Sequence, residues 1–132
     1  MSVRVLVVDD QEPFRRAAAA VVAAAEGFQL VGSAESGEAS LLAVEDLHPD
    51  LVLMDLHLPG IDGTESTRRI RARQPAVRVL LVSSSDGHPN PEDCGAIGYL
   101  AKRRLTPAHL RDAWARQRHQ PPGHPGGPSA KN

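Results

Sequence analysis

The chain has 132 residues, a length typical of one domain with a single hydrophobic core. Its 15 basic and 16 acidic residues nearly cancel, so net charge gives no reason to expect binding to nucleic acid or to an anionic membrane. The single cysteine excludes an internal disulfide framework and is typical of a reducing compartment. No signal-peptide pattern precedes the first strand, and the small apolar run 17–25 is too short to span a bilayer. We therefore expect a cytoplasmic protein without a membrane segment.

Segments with strand-like and helix-like patterns alternate along the chain. The strand-like runs are VRVLVV, FQLVGSA, LVLM, VRVLLV and IGYLA. Several of these runs are almost continuously apolar, which is typical of central strands of a parallel sheet, buried on both faces. The helix-like segments are 12–27, 37–48, 62–73 and the residues from 107 onward. We therefore predict an α/β fold in which helices wind around a five-stranded parallel sheet.

Capping residues predict where the helices begin and end. The first helix carries an apolar stripe that begins at Phe14, and Gly27 is placed to end it. Asp62 is a candidate N-cap for the third helix, with Glu65 three residues later. Thr106 is expected to cap the last helix, because Pro107 fits the first helical position.

The predicted architecture is flavodoxin-like, with strand order 2-1-3-4-5 and helices on both faces. Between the fourth and fifth strands, Gly87, Pro89 and Pro91 are unsuited to a helix interior, so the helix there is predicted to be truncated or irregular. Residues 1–119 should form the domain. The Pro- and Gly-rich residues 120–132 are predicted to be a disordered tail.

Acidic residues follow two neighbouring strands of this predicted sheet. Asp9 and Asp10 end the first strand, and Asp55 ends the third. With the predicted strand order these carboxylates converge at one sheet edge, where a doubly wound sheet binds its ligands. Three carboxylates this close cannot all ionise comfortably without a cation, and hard oxygen ligands favour Mg²⁺.

The fourth and fifth strands add two groups suited to a phosphoryl ligand. Ser83 follows the fourth strand and Lys102 follows the fifth. A hydroxyl, an ammonium and a metal ion around a carboxylate can surround phosphoryl oxygens, because phosphoryl transfer is catalysed mainly by positioning and charge stabilisation.

The stretches VLVVDD, LMDLHLPGIDG, LLVSS and GAIGYLAK make the chain resemble the response-regulator receiver domain of two-component signalling, over roughly residues 3–118. DLHLPGIDG and GYLAK are most similar to the subfamily that usually precedes a helix-turn-helix output domain. The resemblance implies that Asp55 is the phosphoacceptor, which receives its phosphoryl group from a histidine kinase or a phosphotransfer protein. It also implies that Mg²⁺ is required.

Further roles follow from the same resemblance. Asp10 is similar to the direct Mg²⁺ ligand, and Asp9 to the acid that holds metal-bound water. Asp55 also contacts the metal, and His57 would supply a backbone carbonyl rather than its imidazole.

The switch residues are also carried over from the family. Ser83 resembles the hydroxyl that turns toward the phosphoryl group, Lys102 the lysine that pairs with it, and Tyr99 the aromatic that follows. Tyr99 also has a simpler interpretation as a core aromatic. Arg103 stands where many receivers have a proline, so we expect a trans peptide after Lys102.

The histidine side chains, the arginines of RRIRAR and Cys94 need no catalytic role. The six histidines lack metal-ligand spacing, so we do not predict a transition-metal site. The arginines of RRIRAR are expected on a solvated face, and Cys94 is expected to be inert.

We therefore expect a stand-alone receiver that switches the binding of an unknown downstream protein and is not an enzyme acting on metabolites. It should be monomeric or weakly dimeric and should not bind nucleic acid directly. The alternatives are a phosphate sink, a receiver-like interaction module that is never phosphorylated, and a small Mg²⁺-dependent phosphatase. The last would need a second acid where His57 stands.

Overall fold

The computed structural model describes residues 2–85 and 87–117. The strands are β1 (Val3–Val8), β2 (Phe28–Ala34), β3 (Leu51–Asp55), β4 (Arg78–Ser83) and β5 (Gly98–Ala101). The helices are α1 (Glu12–Ala24), α2 (Gly37–Leu47), α3 (Gly63–Arg73) and α4 (Pro107–Gln117). All strand pairs are parallel and the order is β2-β1-β3-β4-β5, as predicted. The predicted tail 120–132 lies outside the described residues.

Two hydrophobic clusters cover the two faces of the sheet. In β1, Leu6 and Val8 face one cluster while Val5 and Val7 face the other, and all four are fully buried. Helices α2 and α3 contribute to the first cluster and α1 and α4 to the second. The apolar run of β1 is continuous because neither face of this strand meets solvent.

Side-chain caps begin α3 and α4 where the sequence predicts them. Asp62 Oδ1 accepts a hydrogen bond from the Glu65 amide at 2.9 Å, and Thr106 Oγ1 accepts one from the His109 amide at 3.1 Å. The predicted end of α1 is wrong by three residues. The helix stops at Ala24, and Gly27 instead takes a φ of +88° in the turn that leads into β2.

Residues 84–97, which we call the β4–β5 segment, contain no α-helix in their described part. They form one 3-10 turn, Pro91–Cys94, which confirms the predicted loss of a full helix. Cys94 is buried there, and the Lys102–Arg103 peptide that follows β5 is trans, as expected.

Arg71 was expected on a solvated face, but it is partly buried. Its Nη1 donates to the Val77 carbonyl at 2.6 Å and also to the Pro75 carbonyl, so the partly buried guanidinium closes the turn between α3 and β4. In the described residues, no helix has both the length and the apolar character needed to cross a membrane.

Candidate functional site

The strand register brings the predicted site residues to one edge of the sheet. Val8 of β1 pairs with Met54 of β3, so the residues that follow them, Asp9 and Asp55, lie side by side. In the same way Ser83 pairs with Ala101, so Lys102 follows at the end of β5. Parallel pairing places all of these residues at the carboxyl edge.

Asp9 is fully buried and is held by both of its carboxylate oxygens. Oδ1 accepts the Gln11 amide at 2.7 Å, and Oδ2 lies 2.5 Å from the Lys102 ammonium. Its backbone carbonyl also accepts from Arg15 Nη1 at 2.9 Å. This carboxylate is therefore fixed in place, whereas neighbouring Asp10 is exposed.

Asp55 lies at the end of β3 with only 4% of its surface exposed. Its Oδ1 accepts the His57 amide at 3.2 Å, and its Oδ2 lies 3.6 Å from Lys102 Nζ. Burial, reinforced by the neighbouring Asp9 carboxylate, raises the pKa of Asp55 from 3.8 to about 6, although Lys102 and the His57 amide act in the opposite direction.

Gly63, the first residue of α3, makes close approach to Asp55 possible. A Cβ atom at this position would overlap the Asp55 carbonyl oxygen and crowd Leu56 Cα. The Gly63 amide also donates to the Leu56 carbonyl at 3.1 Å, so the helix begins directly against the end of β3.

A cleft of about 440 Å³ opens above the carboxylates. Its lining residues are Asp10, Gln11, Pro13, Phe14, Asp55, His57, Ser84 and Lys102. Asp55 is thus buried among its neighbours yet open to the cleft, so a small ligand can reach its carboxylate.

Tyr99 connects β5 to the start of the β4–β5 segment. Its hydroxyl donates to the Ser85 carbonyl at 2.7 Å and lies 3.4 Å from the Ser83 carbonyl, while its ring stacks on His88 with centroids 3.8 Å apart. The Ser83 hydroxyl, fully buried, accepts the Ser85 amide at 3.0 Å. Ser83 and Tyr99 therefore both contact Ser85.

The chemistry of the donor set fits a hard divalent cation. Asp9, Asp10 and Asp55 each offer a carboxylate oxygen, and these oxygens lie within 4.8 Å of one another. Lys102 supplies one positive charge against three carboxylates. Mg²⁺ prefers carboxylate oxygens and retains several waters, which the exposed Asp10 and the open cleft would allow.

Comparison with known proteins shows which family the chain belongs to. The family model described as the response regulator receiver domain matches residues 5–115. The chain belongs to the response-regulator receiver family.

The curated relatives that match include longer regulators. This receiver is 44% identical over 103 residues to the response regulator GacA of Pseudomonas protegens and 34% identical over 103 residues to the transcriptional regulatory protein DegU of Brevibacillus brevis. Each alignment covers 76% of the chain, but only 48% of GacA and 44% of DegU. The chain thus spans about half the length of these relatives.

Solved receivers agree with the fold. The receiver of the putative response regulator NarL from Mycobacterium tuberculosis superposes with a TM-score of 0.73 at 31% identity, covering 87% of this chain and 98% of that one. The response regulator domain of Thermotoga maritima CheB gives a TM-score of 0.79 at 24% identity, covering 92% and 100%. At 24% identity the second match supports the fold alone.

The receiver structure brings the predicted acids and Lys102 together, but it also shows two details that sequence reasoning missed. Lys102 pairs more closely with Asp9 than with the predicted phosphoacceptor, Asp55. The Phe14 ring, predicted only as part of an apolar stripe, lies 4.4 Å from the Lys102 ammonium. The position of Phe14 could have indicated this contact, because the first turn of α1 follows β1 and lies beside the carboxyl edge of the sheet.

Proposed function

We propose that this receiver accepts a phosphoryl group on Asp55 from a histidine kinase or a phosphotransfer protein. The observation that carries the proposal is the Asp55 carboxylate, which opens to a cleft beside Asp9, Asp10 and Lys102. With a pKa of about 6, Asp55 is mostly ionised at neutral pH and can act as the nucleophile.

The proposed transfer forms one bond and breaks one. A carboxylate oxygen of Asp55 attacks the phosphorus of the donor phosphohistidine, the P–N bond breaks, and its electron pair returns to the donor imidazole. The product is an acyl phosphate on Asp55. Lys102 is close enough to move from Asp9 toward the phosphoryl oxygens, where its charge stabilises the transfer.

Mg²⁺ is the proposed metal for this reaction. Asp10 and Asp55 would hold it directly, Asp9 would hold a metal-bound water, and His57 would contribute its backbone carbonyl. When bound, the ion supplies positive charge that offsets the charge of the phosphoryl oxygens. Asp9 also keeps Lys102 in the cleft before transfer.

The hydrogen bonds around Ser85 support a switch. If the Ser83 hydroxyl turns toward the phosphoryl group, it leaves the Ser85 amide, and Tyr99 is bonded to the carbonyl of the same residue. Phosphorylation would therefore disturb the Tyr99 contact and shift the β4–β5 segment between two arrangements, one of which binds an unidentified downstream protein. We further propose that the chain acts in the cytoplasm, does not bind nucleic acid directly and is not an enzyme that acts on metabolites.

Phosphorylation can be tested with a labelled kinase or with a small acyl phosphate and Mg²⁺. Label should appear on wild-type protein, be released by alkali and be absent from Asp55→Ala. Asp46→Ala removes an exposed carboxylate from α2 and should label normally. Equal labelling of Asp55→Ala and wild type would reject the assignment, and no labelling of wild type by any donor would favour the unphosphorylated interaction module. Label that turns over without changing any partner binding would favour a phosphate sink.

A further inference from the structure

The Lys102 ammonium contacts an aromatic ring as well as two carboxylates. Its Nζ lies 2.5 Å from Asp9, 3.6 Å from Asp55 and 4.4 Å from the centroid of the Phe14 ring. A cation within roughly 6 Å of a ring centroid and over its face is attracted by the negative π surface. Two anionic groups and one aromatic face therefore determine where this ammonium rests.

The position of Phe14 is set by the core rather than by the cleft. Phe14 stands in the first turn of α1 and packs against the cluster formed by α1, α4 and one face of the sheet. At the same time it lines the cleft beside Asp55. The ring is thus held from behind by packing, while its face meets the ammonium of a lysine whose side chain is 17% exposed.

We propose that Phe14 is a positioning residue that keeps Lys102 in the cleft during phosphoryl transfer to Asp55. The proposal rests on the proposed function of Asp55. Lys102 must leave Asp9 to reach phosphoryl oxygens bound at Asp55. A π face attracts a cation without a directional hydrogen bond, so the ammonium can slide across the ring while it changes partners. A leucine there would preserve the packing but would not attract the ammonium.

Labelling kinetics separate this role from a purely structural one. At saturating Mg²⁺ and a saturating small acyl phosphate donor, Phe14→Leu should lower the maximal labelling rate about threefold, the size expected of a partly exposed cation–π contact. Phe14→Tyr keeps the aromatic face and should label at the wild-type rate. The matched control is Phe28→Leu, because Phe28 is likewise half-buried in the same cluster but lies at the opposite end of the sheet.

A double-mutant cycle tests whether the effect passes through Lys102. In a Lys102→Ala background, Phe14→Leu should cause no further slowing, because the ammonium is already absent. A second readout needs no phosphorylation: the ring current of Phe14 should shift the ε-methylene proton resonances of Lys102 upfield, and Phe14→Leu should remove that shift.

Three results would overturn the inference without contradicting the proposed function. They are a wild-type labelling rate in Phe14→Leu, equal slowing by Phe14→Leu with and without Lys102, and a labelling rate of Phe14→Tyr as low as that of Phe14→Leu. Failure of wild-type protein to label at Asp55 would overturn both, so the two failures are distinguishable.

Discussion

The carboxyl edge of β1 and β3 and the β4–β5 segment lie side by side but are built differently. Every residue of β3 is buried, and the Asp9 and Asp55 carboxylates each accept a backbone amide. In the described part of residues 84–97, by contrast, most side chains are exposed and one 3-10 turn replaces a helix. The Asp9 and Asp55 carboxylates are thus held in place at the ends of strands. The β4–β5 segment, which we expect to change on phosphorylation, has few structural constraints. The two regions should therefore respond very differently to substitution.

The largest expected difference is in stability. Leu53 is fully buried between α1, α4 and the sheet, so Leu53→Ala should lower the free energy of unfolding by about 3 kcal/mol through lost burial and an unfilled cavity. An exposed change in the β4–β5 segment, Glu92→Ala, should alter it by less than about 0.5 kcal/mol. Urea denaturation measures both. Similar losses at the two positions would show that the segment is as tightly coupled to the core as β3 is.

The second prediction concerns the cost of keeping Asp55 ionised. Because the pKa of Asp55 is raised from 3.8 to about 6, the folded protein retains a proton in this range that the unfolded chain has already lost. The contribution of Asp55 to stability without metal should therefore be most favourable below about pH 4 and be lost as pH rises through about 6, by up to about 3 kcal/mol from this residue alone.

The check is a denaturation series across this pH range with and without Asp55→Asn. The variant should show a flatter profile and be more stable than wild type at pH 7, since an amide has no charge to bury. A profile with the same slope in both proteins would contradict this account of the site.

The third prediction is a metal effect of intermediate size. Mg²⁺ at ten times its dissociation constant should stabilise the folded protein by about 1.4 kcal/mol, because it binds only the assembled carboxylates. Asp10→Asn should abolish the increase in melting temperature, while Asp46→Asn should retain it. Melting curves that superpose with and without millimolar Mg²⁺ would show that the acidic cluster does not bind this ion.

A smaller effect is expected from the stack of His88 on Tyr99. His88→Ala removes the ring that covers Tyr99 and should lower stability by about 1 kcal/mol or less. Labelling of Asp55 should be unaffected, because His88 does not line the cleft. Slower labelling of this variant would show that the β4–β5 segment also takes part in the chemistry.

The last prediction is that phosphorylation leaves the oligomeric state in solution nearly unchanged. A loop must be ordered before it can form an interface, at a cost of about 1 kcal/mol or more per residue, so a tight dimer through residues 84–97 is disfavoured. Sedimentation with and without a phosphoryl mimic should show a monomer or weak dimer in both states. Hydrogen exchange should be fastest, among internal segments, in residues 85–93. A stable activated dimer that buries this loop would contradict the prediction.

The fold was predictable because local and global signals agree. Continuous apolar runs predicted strands covered on both faces, and Asp62 and Thr106 predicted helix starts that the structure confirms. The end of α1 was not predictable from Gly27, because a glycine with positive φ serves a turn as well as a helix end. Arg71 was misjudged because its carbonyl partners are created only when α3 meets β4.

The site was predictable in its members but not in its pairing. Strand ends specified that Asp9, Asp55 and Lys102 would meet, since parallel strands share one carboxyl edge. Which carboxylate holds the ammonium depends on distances of an ångström, which no residue pattern encodes. Phe14 was assigned only to the core. Helical periodicity predicts which residues face the core, but it does not predict that the same ring also lines a cleft.

Gly63 carries a consequence for the evolution of this receiver. It has no side chain to react, bind or switch, yet any other amino acid would push its Cβ into the backbone that bears Asp55. A residue without a reactive side chain is therefore restricted by the space around it. Random mutagenesis scored by labelling of Asp55 should recover Gly63 as intolerant, although its role is to leave room for the neighbouring backbone.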